Sequence, residues 1–155
     1  MRNLSWWILG LLAMVSPCLA GSPAKPAPRD KCPVCGMFVS KYPEWIAQVR
    51  FKDGTCFFFD GVKDMFKFLA QPGKYSPGRE AKDISDIHVT DYYSLESIDG
   101  RAAFYVIGGD VYGPMGKELI PFLREEDAKE FLRDHAGKRV LKFQEVTPEV
   151  IRALD

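Results

Sequence analysis

The sequence predicts an α+β fold, with mostly antiparallel sheet and helices on one side of it. The order strand–strand–helix–strand occurs twice along the chain, once in each half. A constant separation of 63 residues relates Phe59 to Phe122 and Phe68 to Phe131, so aromatic residues recur at matching places in the two halves. These observations together predict an internal duplication, with two related ββαβ units in one domain.

The N-terminal residues are expected not to belong to this fold. Residues 1–20 combine a positively charged start, an apolar run and small residues before Gly21, which is the pattern of a secretory signal cleaved after Ala20. Lipidation of Cys18 is the alternative, although Pro17 stands where a lipoprotein signal prefers a small residue. Both routes predict a periplasmic protein, whose mature chain is soluble or lipid-anchored.

The folded part of the chain is predicted to begin after a short linker. Residues 21–30 are rich in proline and show no apolar period, which is typical of a flexible linker. The domain is predicted at residues 31–155, with the two ββαβ units at about 31–97 and 98–146. A chain of this length can bury a core without the help of disulfides.

The first unit starts with a predicted β-hairpin. Residues 45–51 and 55–59 are rich in strand-forming residues, and the Asp-Gly pair between them is typical of a hairpin turn. Asp60 is expected to cap the following helix, whose apolar residues recur at helical spacing. Residues 87–93 predict the third strand of this unit.

The second unit repeats this order. Residues 102–107 and 119–123 predict two strands, and Pro121 indicates that the second of them lies at a sheet edge or bulge. The acidic residues 125–127 open a helix, where negative charge is favourable. Residues 139–146 predict the last strand, and a Thr-Pro pair directly after it predicts a short terminal helix.

Charge and motif content exclude several functional classes. The 21 Lys and Arg residues balance the 21 Asp and Glu residues, and neither sign forms a long cluster. Nucleic acids and anionic membrane surfaces are therefore not expected as partners. The chain also has no nucleophile elbow, phosphate loop or dinucleotide fingerprint, so we expect it not to be an enzyme.

The most informative segment is residues 32–37, Cys-Pro-Val-Cys-Gly-Met, which brings three sulfur atoms close together. Thiolate and thioether ligands together favour soft metal ions, above all Cu(I). In an extended backbone Cys35 and Met37 would project from the same face, and Cys32 could supply an auxiliary thiolate. Met115 occupies a second turn, Gly-Pro-Met-Gly, and we expect the two turns to lie side by side and form one site.

Three other interpretations of the cysteine pair remain open. Removal of the signal leaves three cysteines, an odd number that cannot close a disulfide framework, yet the pair itself could be a disulfide. A zinc knuckle would need further ligands, for which Cys56, His88 and His135 are the candidates. A thiol–disulfide oxidoreductase would need the pair at a helix N-terminus, whereas residues 37–39 predict a strand.

Several motifs taken together resemble the NosL family, the accessory proteins of nitrous oxide reductase. They are the Cys-Gly-Met segment, then Phe-Phe-Asp-Gly before the first helix, Val-Thr-Asp-Tyr-Tyr in the middle, and Tyr-Val-Ile-Gly followed by Gly-Pro-Met-Gly-Lys-Glu-Leu-Ile-Pro-Phe. The resemblance extends from residue 31 to about residue 146. The resemblance depends on the two methionine motifs occurring together, since neither motif is specific alone.

The resemblance implies a fold of two related ββαβ units and a Cu(I) chaperone that passes copper to a membrane-associated maturation machinery. It also implies that Cys35, Met37 and Met115 bind copper, while Cys32 is a second thiol that many family members lack. The leading hypothesis is therefore an exported metallochaperone that delivers Cu(I) to a maturation protein or a copper enzyme at the membrane. The alternatives are a periplasmic thiol–disulfide protein that uses Cys32 and Cys35, and a structural zinc or disulfide module.

Overall fold

The computed structural model describes residues 23–155. The expected signal peptide at residues 1–20, and Cys18 with its alternative lipidation, lie outside the described residues. Among the helices from residue 23 onward, none has the length and apolar character needed to cross a membrane.

The first unit is a four-stranded antiparallel sheet with two helices inserted before its third strand. Its elements are β1 (Ala47–Phe51), β2 (Cys56–Phe59), α1 (Val62–Ala70), α2 (Pro72–Tyr75), β3 (Ile84–Thr90) and β4 (Ser97–Asp99). The sheet order is β2-β1-β3-β4, so β1 is paired on both sides. Ala47 of β1, for example, lies opposite Phe59 on one side and Val89 on the other.

The second unit is a three-stranded antiparallel sheet with a small hairpin inserted into its first connection. Its elements are β5 (Phe104–Ile107), β6 (Tyr112–Gly113), β7 (Gly116–Lys117), β8 (Ile120–Phe122), α3 (Glu125–Asp134) and β9 (Arg139–Lys142). The sheet order is β8-β5-β9, and β6 pairs with β7 in a separate two-stranded hairpin. A short helix, α4 (Pro148–Arg152), follows β9.

The two units share one topology, which confirms the predicted α+β fold of two related ββαβ units. In each unit the first strand is central, and the second strand and the strand after the helix pair on its two sides. The corresponding aromatic pairs also match. The ring centroids of Phe59 and Phe68 are 5.3 Å apart, and those of Phe122 and Phe131 are 5.1 Å apart.

Two predicted strands end earlier than the sequence pattern indicates. The strand predicted at 87–93 is β3, which ends before Asp91, because the buried carboxylate of Asp91 accepts backbone N–H groups at distances near 3 Å and starts a turn. The strand predicted at 139–146 is β9, which ends at Lys142, whose N–H donates to the Glu145 carboxylate at 2.7 Å. Pro121 lies in edge strand β8, as predicted.

The segment predicted as a linker makes specific contacts within its described residues. Ala24 N–H donates to Gln48 Oε1 on β1 at 2.9 Å. Further along, the backbone carbonyl of Asp30 accepts the N–H of Val39 at 3.0 Å, which closes the base of the cysteine turn. The residues just before Lys31 therefore help to fix the turn that carries the thiols.

The start of α1 packs directly against the second unit through Glu118. This buried carboxylate accepts the backbone N–H of Lys63 at 2.5 Å and that of Leu119 at 2.9 Å. A Cβ atom on Gly61 would lie 2.2 Å from Glu118 Oε2, so only glycine leaves room for this contact. The contact fixes how the inserted β6–β7 hairpin approaches α1.

We predict that Gly61→Ala lowers the free energy of unfolding by about 1–3 kcal/mol, because the added methyl group forces the Glu118 carboxylate to move. Gly73→Ala is the matched control, since a Cβ there would only reach ordinary contact, 3.5 Å from the carbonyl oxygen of Arg79. Urea denaturation of the three proteins measures the effect. Equal stabilities of the two variants would contradict the packing described here.

A second prediction concerns the pH dependence of stability. Burial raises the pKa of Glu118 to about 8, against the lowering effect of the Leu119 and Lys63 N–H groups. Because the folded-state pKa lies above the unfolded value, the protonated carboxyl is favoured by folding, and stability falls as the pH rises from about 4.5 to 8. Glu118→Gln should flatten this slope in urea titrations, whereas Glu130→Gln, at an exposed position, should leave it unchanged.

Candidate metal centre

The two thiols are presented by a closed backbone turn. Gly36 N–H donates to the Cys32 carbonyl at 2.9 Å, and Cys32 N–H donates to the Met37 carbonyl at 2.9 Å. Gly36 has φ +82°, in the left-handed region that favours glycine. The extended conformation expected for residues 35–37 is therefore wrong, and the residues that follow form a single bridge, Lys31 to Phe38, and a 3₁₀ turn rather than a strand.

The backbone N–H groups of this turn favour the negatively charged thiolates. Those of Val34 and Cys35 lower the pKa of Cys32, and that of Met37 lowers the pKa of Cys35, although burial outweighs both effects. A Cys-x-x-Cys turn that directs amide groups at both sulfurs is suited to hold a metal ion.

Two buried carboxylates complete the cluster. The Cys35 thiol donates to Asp60 Oδ1 at 3.1 Å, and the Cys32 thiol donates to Asp64 Oδ2 at 3.4 Å. Within the described part of the chain, these four side chains form a group whose ligand atoms all lie within 4.8 Å of one another. Carboxylates this deeply buried are rare unless they are paired or bind a cation, and Asp64 has such a partner in Lys67, whose Nζ lies 3.8 Å from its Oδ1.

The role predicted for Asp60 is wrong. The N-cap residue of α1 is Gly61, and the N–H of Lys63 at this helix end is bound by Glu118 rather than by Asp60. Asp60 instead turns inward to Cys35, and its Oδ2 is buried without a hydrogen-bond partner among residues 23–155. A buried oxygen of this kind costs about 1–3 kcal/mol or more, so it is a ready acceptor for a cation or a proton.

The sequence contains a weak signal for these two carboxylates. Asp60 and Asp64 are four residues apart at the start of a helix, and the residues around them, Phe59, Val62 and Met65, are all buried. Side chains four residues apart lie on the same face of a helix. Two acids on an otherwise apolar face are unusual. A helix N-terminus also favours acidic residues through its dipole, however, so the pattern alone does not indicate a buried cluster.

Burial dominates the protonation of the thiols. It raises the pKa of Cys35 to about 12, with the Met37 N–H lowering it and the hydrogen bond to Asp60 raising it. Burial likewise raises the pKa of Cys32 far above the usual range of a thiol. At neutral pH both thiols therefore keep their protons and share them with carboxylate oxygens, until a cation replaces those protons.

The two methionines occupy different positions relative to this cluster. Met37 is half-buried and follows Cys35 in the turn. Met115 is 44% exposed and lies at the tip of the β6–β7 hairpin, where its carbonyl accepts the Lys63 ammonium group at 3.0 Å. Lys63 sits between Asp60 and Asp64 in sequence, so the hairpin is attached to the same end of α1 that holds the carboxylates.

The other candidate zinc ligands do not join the cluster. Cys56 contacts the Gln48 amide nitrogen at 3.5 Å on the first sheet, and His88 lies on β3 of that sheet. His135 stacks on Phe131 in the second unit, with ring centroids 4.2 Å apart, and bonds Asp110 at 2.9 Å. The carboxylates, rather than these residues, complete a four-donor set with the cysteine pair.

Fold and site define a class of protein: a duplicated ββαβ domain with a cluster of two thiols and two carboxylates beside the contact between its two units. The family model of NosL matches residues 23–151. The chain therefore belongs to the NosL family.

The chain is also similar to individual proteins and solved structures. The chain is 30% identical to the copper-binding lipoprotein NosL of Stutzerimonas stutzeri, over 79% of this chain and 65% of that protein, so it spans just under two thirds of the relative's length. The crystal structure of the copper chaperone NosL from Shewanella denitrificans has the same fold, with a TM-score of 0.69 at 23% identity, covering 83% of this chain and 97% of that one. The solution structure of apo-NosL from Achromobacter cycloclastes overlaps with a TM-score of 0.49 at 26% identity, over 68% and 87% of the two chains.

We predict that Cys35 of the metal-free protein reacts at pH 8 at least about tenfold more slowly with iodoacetamide than an unfolded cysteine peptide, because little thiolate is present. The rate should rise steeply with pH up to about 12, the pKa of this thiol. Asp60→Asn should accelerate the reaction, since it removes the charged acceptor of the thiol proton.

Peptide mass spectrometry assigns the modified cysteine and gives the rates. Asp110→Asn, which removes a carboxylate on the second unit, is the control and should leave the rate unchanged. A Cys35 rate equal to that of the free peptide would show that the thiol is not protected in this way.

Proposed function

We propose that the protein is an exported Cu(I)-binding metallochaperone. The observation that carries the proposal is the closed cysteine turn, which holds two free thiols against buried carboxylates at the helix end to which the Met115 hairpin is attached. The names of the relatives, copper-binding lipoprotein and copper chaperone, support the same cargo. Export rests on the predicted signal at residues 1–20.

The ligand set follows from the chemistry of the donors. Cys35 is the principal thiolate, because it is partly exposed and adjoins Met37, whereas Cys32 is almost fully buried and serves as an auxiliary thiolate. Met37 and Met115 supply thioethers, and the combination of soft sulfur donors selects Cu(I) over harder ions. Asp60 and Asp64 accept hydrogen bonds from the two thiols, whose protons must leave when sulfur binds the metal.

Delivery requires that the cargo can leave, and the exposed donors suit this. A partner can reach Met115, and Cys35 at the surface of the turn, while Cys32 remains buried. Copper then passes by ligand exchange, one sulfur at a time, to a copper-accepting maturation protein or a copper enzyme at the membrane. Membership of this family favours nitrous oxide reductase as the copper enzyme whose assembly this delivery supports.

One specific observation favours a second candidate, a Zn²⁺ site. Two sulfur and two carboxylate donors within 4.8 Å of one another match the ligand number and donor types of tetrahedral zinc. The thiol–disulfide alternative is disfavoured, because catalytic cysteines have lowered pKa values, whereas burial raises the pKa of both thiols here. The copper site and the zinc site would need different residues, so substitutions can distinguish the two candidates.

We predict that the reduced protein binds one Cu(I) and that Cys35→Ser abolishes this binding. Met115→Ala should weaken it. Asp60→Asn should change it little, because the amide oxygen can still accept the Cys35 hydrogen bond and carboxylates are poor ligands for a soft ion. Cys56→Ser is the matched control, since Cys56 lies on the first sheet away from the turn, and it should bind as the parent does. Titration against a Cu(I)-selective chromophoric chelator gives the affinities.

Native mass spectra recorded with Cu(I) and Zn²⁺ offered together decide between the two candidates. One bound copper that survives Asp60→Asn supports the copper carrier. Bound zinc that is lost on Asp60→Asn, with copper excluded from the parent protein, supports the zinc site instead. Undiminished copper binding by Cys35→Ser would rule out the ligand set proposed here.

A further inference from the structure

We propose that Lys63 is a positioning residue that holds the Met115 loop at a fixed place relative to the cysteine turn, an inference that rests on the proposed role of Met115 as a copper ligand. Lys63 does not touch the cluster of thiols and carboxylates. Its two hydrogen-bonding ends, the ammonium group and the backbone N–H, both contact the segment that carries Met115.

The burial of Lys63 is the first observation. Its side chain is only 4% exposed, and lysine is almost never this buried unless the ammonium group is paired. Three oxygen atoms surround the Nζ atom: the carbonyls of Met115 at 3.0 Å and Leu154 at 3.3 Å, and the carboxylate of Asp155 at 3.5 Å. Three acceptors match the three N–H donors of an ammonium group.

The second observation is that the same residue contacts the loop at two points. Its ammonium group binds the carbonyl of Met115, and its backbone N–H binds the carboxylate of Glu118, three residues further along. Between these points the hairpin turns tightly, with Gly113 opposite Gly116, and Gly116 has φ +87°. The loop is thus fixed at its tip and at its base to one residue of α1.

The third observation is the rigid connection from Lys63 to the thiols. Lys63 lies in the first turn of α1, next to Asp64, which accepts the Cys32 thiol, and three residues after Asp60, which accepts the Cys35 thiol. A helical turn is a stiff spacer. The length of the Lys63 side chain therefore sets where the Met115 backbone sits relative to the sulfurs of the cysteine turn.

A purely structural role is the competing explanation, since Lys63 also binds Leu154 and Asp155 near the end of the chain. The two roles predict different couplings. If Lys63 positions Met115, its removal matters for copper only while the Met115 thioether is present. If it merely stabilises the fold, its removal lowers copper affinity by the same factor with or without that thioether.

The test is a double-mutant cycle with Lys63→Leu and Met115→Ala, read out as Cu(I) affinity by chelator competition on the folded proteins. We expect each single change to weaken binding, Lys63→Leu by about tenfold, and the double variant to bind no more weakly than Met115→Ala alone. X-ray absorption of the copper-loaded Lys63→Leu protein should show one sulfur neighbour fewer than the parent. Lys129→Leu, which removes an exposed lysine on α3, should retain the parent's affinity and sulfur count.

Each other result overturns the proposal in a recognisable way. Additive losses in the cycle, or parent-like affinity of Lys63→Leu, overturn the positioning role and leave the copper function intact. Parent-like affinity of Met115→Ala removes Met115 from the ligand set and the positioning role with it. If Lys63→Leu does not fold, Lys63→Arg replaces it in the cycle, because it keeps the buried charge but its planar guanidinium does not reproduce the three ammonium contacts. The same outcomes then decide.

Discussion

Two thiol–carboxylate hydrogen bonds, Cys35 to Asp60 and Cys32 to Asp64, hold the cysteine turn against the start of α1, and the rest of the site depends on them. They couple a loop near the beginning of the domain to a helix in its core. They also keep the thiols protonated and the carboxylates satisfied while no cation is bound, apart from one oxygen of Asp60. Metal binding in such a site exchanges thiol protons for an ion.

The site combines donor atoms that prefer different classes of metal ion. Its sulfur atoms favour soft ions, whereas its carboxylates favour harder ones. The aspartates and Cys32 are buried, while Met115 and part of Cys35 face solvent. In the proposed carrier an incoming or departing ion therefore meets exposed sulfur first. This order suits a carrier, because sulfur ligands of a partner can replace exposed sulfur ligands without opening the buried half of the cluster.

The duplication preserved the fold without preserving the site. At the separation of 63 residues that relates the two helices, Asp60 corresponds to Leu123, which is exposed, and Asp64 corresponds to Asp127, which pairs with Arg124 at the surface. The second unit therefore has no buried carboxylate pair at the start of its helix. It contributes instead the inserted β6–β7 hairpin, with Met115 at the tip and Glu118 at the base. One unit supplies thiols and carboxylates, and the other supplies the loop beside them.

The sequence alone determined the α+β class, the duplicated ββαβ order and the sulfur-containing residues, because strand and helix periods and turn residues are local properties of the chain. The tertiary structure decided the conformation of the cysteine turn and the role of Asp60. A carboxylate at a helix start either caps the helix in water or is buried in a cluster, and its sequence neighbours are the same in both cases. The difference arises from a turn 25 residues earlier that packs over it. Such long-range packing leaves only the weak signal of two acids four residues apart, which ordinary helix starts also show, so the thiols were predictable and their carboxylate partners were not.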